Sequence, residues 1–175
     1  NLVGAQVVTA AGAVVEATPT GPHADLLWAL RGGGGNFGVV TRFDFALHAV
    51  GPEVWCSLPV YALDDGPGPI RRWRDLIARM QDRVGSIVEF STVPQDEGYP
   101  RDAWGRRVFT VGALYAGDAA AGEALLAPLR ELGTPVADFS GRMPYAEVQR
   151  LFDTITPFGE RRCYWKSRFL DRLDD

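Results

Sequence analysis

The sequence has almost no lysine: Lys166 is the only one among 18 basic residues, the rest being arginine. It has two cysteines, Cys56 and Cys163, two histidines, His23 and His48, and no long apolar run. Each scarcity excludes something. Two cysteines have neither the density of a disulfide scaffold nor the paired spacing of a metal site. Both lie in apolar, strand-like stretches and read as buried thiols. His23 precedes a short helix and His48 ends a strand, with no third ligand nearby, so no metal is expected. No segment is long and apolar enough to span a bilayer, and the first residues lack a signal peptide's charged start and apolar middle. No membrane partner is expected, and localisation stays open. The formal charge is -4 at pH 7, and the arginine clusters (Arg71, Arg72, Arg74; Arg161, Arg162) sit among acids. Without a basic stripe to neutralise phosphates, no nucleic-acid partner is expected.

What is present is ordinary for a globular chain: 46% hydrophobic and 23% charged over 175 residues, enough to bury a core. Heavy use of arginine, alanine and glycine suggests a GC-rich bacterial genome. The chain starts at Asn1, not Met, directly on a strand-like run, and stops at Asp175 shortly after another. It reads as a piece of something longer. No internal repeat or low-complexity tract interrupts it.

Residues 2–9 are apolar and rich in branched side chains, and Ala11-Gly12 offers a turn into residues 13–17, so the pair reads as a hairpin. Pro19 and Pro22 break the pattern. Asp25 then stands in the first turn of a short helix running to Leu30. Residues 31–38 form a glycine-rich loop. From 39 to 48 polar and apolar residues alternate, placing Val39, Thr41, Phe43, Phe45 and Leu47 on one face of a strand. At Val50-Gly51-Pro52 the character changes, and a domain boundary is placed there, dividing 1–50 from 51–175. The second part reads strand (54–62), helix (70–84), strand (86–93), strand (107–115), helix (119–132), strand (135–139). Ile70, Trp73, Ile77, Met80 and Val84 recur at helical spacing, and Pro128 should kink or shorten the second helix. The order βαββαβ is that of the split-βαβ, ferredoxin-like unit, with two helices on one face of an antiparallel sheet. The expected fold class is therefore α+β. A further helix (144–152) and strand (162–170) follow.

Gly33-Gly34-Gly35-Asn36-Phe37-Gly38 formally satisfies G-x-G-x-x-G. The dinucleotide fingerprint, however, runs strand, glycines, helix, whereas here a helix leads into the glycines and a strand leads out. No helix N-terminus faces a phosphate. A P-loop fails too, since no lysine follows the glycines. Each glycine in a run nevertheless costs roughly 0.5–1 kcal/mol relative to alanine. A helix cap and a tight turn account for one or two. The remainder fits either a more demanding turn or a ligand pressed against backbone, and physics alone leaves both open.

The continuous stretch Asp25-Leu26-Leu27-Trp28-Ala29-Leu30-Arg31-Gly32-Gly33-Gly34-Gly35-Asn36-Phe37-Gly38-Val39-Val40-Thr41 resembles the DLFWALRGGGGNFGIVT signature of FAD-linked oxidases. These form the berberine-bridge-enzyme-like branch of the vanillyl-alcohol-oxidase-type FAD-binding fold. Residues 1–15 resemble the hairpin upstream of that signature. Tyr164-Trp165-Lys166-Ser167-Arg168-Phe169-Leu170 resembles the family's YYWKSxFL strand. The resemblance implies FAD as cofactor and hydride transfer to it from an alcohol, sugar or secondary metabolite. Residues 1–50 would then be the C-terminal part of the FAD-binding domain. Residues 51–175 would be part of the α+β domain whose sheet roofs the flavin. Residue by residue, it implies that the Val40 backbone bonds the nucleotide portion, while Gly34, Gly35, Asn36, Phe37, Gly38 and Val39 line the approach.

Departures from the family pattern limit what can be assigned. The flavin-attaching Gly-Gly-His loop and the main pyrophosphate loop, which precede these segments in the family, are not in this sequence. Neither cysteine matches the family's second attachment point. The family's catalytic Tyr or acid and its closing C-terminal segment come later than the segments matched. Arg168 stands where a smaller residue is usual. No catalytic residue is assigned, and the chain is expected to need N- and C-terminal partner segments of the same protein and to be inactive alone. An inert truncated paralogue or folded interaction module is the alternative.

Two further groups of polar side chains stand out. Asp64-Asp65 and Asp174-Asp175 pair carboxylates, but sequence neighbours face apart and do not converge on one substrate atom. Tyr164 and Lys166 share one face of their expected strand and Trp165 and Phe169 the other. Either the first pair faces water over an apolar core, or it faces a substrate cavity.

Overall fold

The computed structural model describes residues 1–153, 159, 162 and 164–174. Arg161, Cys163 and Asp175, named above, lie outside the described residues. The chain forms two units, Asn1–His48 and Ala49–Asp175.

The first unit opens with the expected hairpin of β1 (Leu2–Val8) and β2 (Val14–Ala17). Gly12 supplies the left-handed turn residue, with φ of 78°. Its N–H donates to the Thr9 carbonyl at 2.9 Å, while the Thr9 N–H donates to the Ala13 carbonyl at 2.9 Å. After α1 (Ala24–Leu30) and a 3-10 turn (Gly34–Phe37), β3 (Val39–Phe45) returns antiparallel to β1, giving the order β2-β1-β3. Leu27 of α1 is buried against Leu2 and Ala17, with Leu26 and Leu30 beside them. The expected strict alternation of β3 slips at one place. A register shift falls between the Gln6–Arg42 and Val7–Val40 pairs. Thr41 sits at that bulge and its hydroxyl donates to Gln6 Oε1 at 2.8 Å. The aromatic face forms but is not covered within this unit: Phe43 is 53% and Phe45 54% exposed.

The second unit is built on one antiparallel sheet. Its strands are β4 (Glu53–Ser57), β5 (Pro59–Ala62), β6 (Val84–Thr92), β7 (Arg107–Tyr115), β8 (Pro135–Asp138) and β9 (Gly141–Pro144). Strand β7 is flanked by β6 on one side and by β5 and β4 on the other; β8 and β9 pair outside β5 and β4. Helices α2 (Gly68–Ile77) and α3 (Ala119–Leu126) feed one core. In it Trp55, Tyr61, Phe109 and Val111 meet Leu126 and Leu129, with Ile70, Trp73 and Ile77 packed against them. The Tyr61 hydroxyl donates to the Leu129 carbonyl at 2.8 Å, so even the polar tip of this buried ring is satisfied.

The α+β, antiparallel character expected from sequence is present, but the simple four-strand ferredoxin-like unit is not matched in detail. The expected strand 54–62 is broken at Leu58, and the expected strand 135–139 continues as a second piece, β9. The two breaks lie side by side. The Leu58 N–H donates to Ser140 Oγ at 2.8 Å, and the Leu58 carbonyl accepts from the Phe139 N–H at 3.1 Å. The expected helix 70–84 stops at Ile77, where i to i-3 bonds from Arg79 to Leu76 and from Met80 to Ile77 tighten the last turn. Helix α3 shortens at Leu126 and passes into a 3-10 turn holding Pro128, as a residue without an N–H dictates. The last expected helix is reduced to α4 (Tyr145–Val148).

The expected strand 162–170 differs most. Its described residues 164–170 carry no strand, and Trp165 is 78% and Phe169 101% exposed. Alternation defines two faces, but a strand also needs a neighbour to complete its ladder. Cys56, by contrast, is buried in β4 as expected.

Candidate functional site

The glycine loop is held at both ends by its own unit. Arg31 donates to the Leu2 carbonyl from Nε at 3.0 Å and from Nη2 at 2.7 Å, tying the loop entrance to β1. The Gly33 N–H donates to the Ala29 carbonyl at 2.9 Å, and Asn36 Nδ2 to the Gly33 carbonyl at 2.8 Å. Asn36 thus closes the turn with its own side chain.

Most of the glycines are demanded by this geometry. Gly32, Gly34 and Gly38 have φ of 130°, 67° and 136°, where a Cβ is strained. A Cβ at Gly33 would stand 2.5 Å from the Ala29 carbonyl oxygen, and one at Gly38 only 2.4 Å from that of Val8. Gly35 is different. Its φ is -80°, and a Cβ there would meet nothing within 4 Å. The space above Gly32 and Gly34 is equally open. Beside it lies a pocket of about 470 Å³ lined by Trp28, Arg31, Gly33 and Phe37, with Trp28 77% exposed. Gly34, Gly35, Asn36 and Phe37 therefore form the 3-10 turn and Gly38 leads into β3. Val39 is exposed and Val40 half-buried, paired with Val8 and Val7 of β1. The second sequence-derived pair, Tyr164 and Lys166, lies in the other unit, and both residues are exposed.

A further site in the second unit had no clear signal in the sequence. In β7 the side chains of Phe109, Val111 and Ala113 enter the helix-covered core, so Thr110, Gly112 and Leu114 face the opposite side. There they line a pocket of about 430 Å³ with Cys56 of β4, Ile87 and Glu89 of β6 and Tyr99 from the following loop. Gly112 keeps this surface low, since a Cβ would come within 2.9 Å of Ile87 Cγ2. Both faces of β7 are apolar, so alternation gave no polar signature for the second one. Burial pushes the Cys56 thiol up to about 11, leaving it protonated at neutral pH. Burial also pushes the Tyr99 phenol up, aided by the negative charges of Asp96 and Glu89. Tyr99 is braced edge-on by Phe139, ring centroids 5.0 Å apart. Among the described residues no group of His, Cys, Asp and Glu could hold a metal, and no helix is long and apolar enough to cross a membrane.

No protein-family profile matches the chain. Individual proteins do. The FAD-linked oxidoreductase pgmH of Aspergillus terreus is 32% identical over 155 residues, which cover 86% of this chain and 29% of that protein. An FAD-linked oxidoreductase of Dictyostelium discoideum is 28% identical over 91% of this chain and 32% of its own. Among solved structures, 6-hydroxy-D-nicotine oxidase from Arthrobacter nicotinovorans superposes with a TM-score of 0.71 at 28% identity, over 90% of this chain and 33% of that one. Berberine bridge enzyme from Eschscholzia californica, at 21% identity, shares the fold with a TM-score of 0.61 over 86% of this chain and 28% of its own. The chain thus spans about a third of the length of the proteins it matches. Relatives from fungi and Dictyostelium do not support the bacterial origin suggested by composition. By sequence the chain is a relative of FAD-linked oxidoreductases, and its fold matches that of solved oxidases of the vanillyl-alcohol-oxidase-type FAD-binding fold.

Proposed function

We propose that this chain is the part of an FAD-dependent oxidoreductase that contributes the glycine-loop side of the cofactor site and part of the cover over the substrate. Residues 1–50 act as the C-terminal part of the FAD-binding domain and 51–175 as part of the substrate domain. The observation that carries the reading is Gly35. The backbone of the chain itself requires its neighbours to be glycine, but neither φ nor packing requires Gly35. Open space above a residue that has no folding reason to lack a side chain is what a ligand lying on the backbone needs.

In this reading Arg31 and Asn36 fix the loop, Gly34 to Val39 line the cofactor's approach, and the Val40 backbone bonds its nucleotide portion. FAD, when bound, supplies the hydride acceptor. The chain's own residues position cofactor and substrate. The exposed aromatic face of β3 (Phe43, Phe45) is covered by further segments of the complete protein. The pocket on the open sheet face of the second unit receives an alcohol, sugar or secondary-metabolite substrate. Tyr164 and Lys166 are set beside that substrate once their segment gains a strand partner.

The test compares Gly35→Ala in the complete protein with the unmodified form. Flavin retained per chain after desalting should fall several-fold, while the urea midpoint moves little. Unchanged flavin content would reduce the loop to a turn.

A further inference from the structure

Among the described residues, the pocket on the open sheet face is lined by a single charged group. Glu89 rises from β6 into a space of about 430 Å³ whose other described walls include Leu58, Ile87, Leu114 and Phe152, with no lysine, arginine or histidine among them. Glu89 is half-buried, and its carboxylate has no ion-pair or hydrogen-bond partner among the described residues. The remaining polar side chains among the described lining residues are hydroxyls and a thiol: Ser86, Thr110, Tyr99 and Cys56. The Cys56 thiol and the Tyr99 phenol are both held in the neutral form at neutral pH, so neither balances the charge. A half-buried carboxylate rimmed by apolar side chains is open to pairing with an incoming cation, and a charge-assisted hydrogen bond there is stronger than a neutral one. The cavity is also large enough for a bicyclic aromatic body, since pockets of this size bury drug-sized ligands.

From this isolated carboxylate we infer that the pocket selects a substrate bearing a protonated amine on an apolar body, with Glu89 as the specificity-determining partner of the ammonium. This rests on the reading of the pocket as the substrate site of a flavoprotein. It narrows the alcohol, sugar or secondary-metabolite class to cationic nitrogen compounds. Hydrogen-bonded ion pairing in a partly dry site is worth about a factor of ten or more in affinity.

The experiment uses the complete, flavin-loaded protein and two matched probes, tryptamine and tryptophol, which share the indole body and differ in ammonium against hydroxyl. Calorimetric titration should show tryptamine binding at least about tenfold tighter. In Glu89→Gln the preference should collapse to within about twofold, with tryptophol affinity unchanged. Equal affinities in the unmodified protein overturn the inference whatever the variant does, as does a preference that survives the substitution or a failure of tryptamine to bind. The flavin spectrum, recorded on the same sample, separates the two readings. A flavin-loaded protein without the amine preference leaves the oxidoreductase reading standing. A protein that never holds flavin removes that reading instead.

Discussion

At the scale of single residues, the glycine loop shows what sequence carries and what it hides. The run announced an unusual backbone, and the family signature named its context. Which glycine serves the fold and which is left over depends on φ values and carbonyl positions that composition cannot supply. Gly38 serves the fold. Replacing it with alanine sets a Cβ against the Val8 carbonyl at positive φ, and should cost on the order of 2 kcal/mol or more by chemical denaturation. Ser57 is the opposite case, a fully buried hydroxyl with no partner among the described residues. Ser57→Ala should leave the urea midpoint unchanged or raise it by up to about 1 kcal/mol in stability, because an unmatched buried polar group is removed. A clear loss would mean that the hydroxyl is bonded after all. Cys56 gives a pH signature. Its folded value is raised from 9.0 to about 11, so the stability it contributes is complete below pH 9 and fades as pH climbs toward 11. The loss is on the order of 2 kcal/mol. Cys56→Ala should flatten that part of the stability profile; an unchanged alkaline slope would show that the thiol does not titrate there.

At the scale of elements, existence and type were more legible than boundaries. Apolar periodicity located α2 and α3, β6 and β7, and Pro128 shortened α3 as its chemistry demands. What escaped was the paired break at Leu58 and Ser140, because it depends on a side chain standing in for a backbone acceptor across two strands. Asp138 anchors that junction. Its carboxylate accepts from the Ser140 N–H at 2.9 Å and from Arg130 Nε at 2.7 Å, and it also accepts from the Ser140 hydroxyl. Burial alone would raise its pKa, but the bonds from Ser140 and Arg130 outweigh that and hold the pKa below the usual carboxylate range. The corresponding stability is present above the ordinary aspartate range and is lost as pH falls through it. Asp138→Ala should cost about 1–3 kcal/mol at pH 7 and progressively less in acid. A constant difference across that range would rule out the charged form as the source. The strand expected over 162–170 escaped for another reason. Its alternation is real, but pairing is a property of two segments, and only one was legible.

At the scale of the whole molecule, two units with different unmet needs point the same way. The first presents an aromatic strand face and an open glycine loop; the second presents a pocket whose carboxylate has no partner among the described residues. Neither pattern is explained by folding of these 175 residues alone. Both are explained if the chain is about a third of a flavoprotein, the fraction its relatives indicate. A few backbone hydrogen bonds from one loop, each worth a net ~1 kcal/mol, do not offset the immobilisation of a ligand as large as FAD. The isolated chain should therefore bind FAD weakly. The measurement that tests the central claim most directly is the FAD-to-protein ratio of the purified complete protein after desalting. The purified complete protein should be yellow and carry about one FAD per chain, as binding at a single built site requires. A well-folded, colourless protein that takes up no FAD on titration would contradict it.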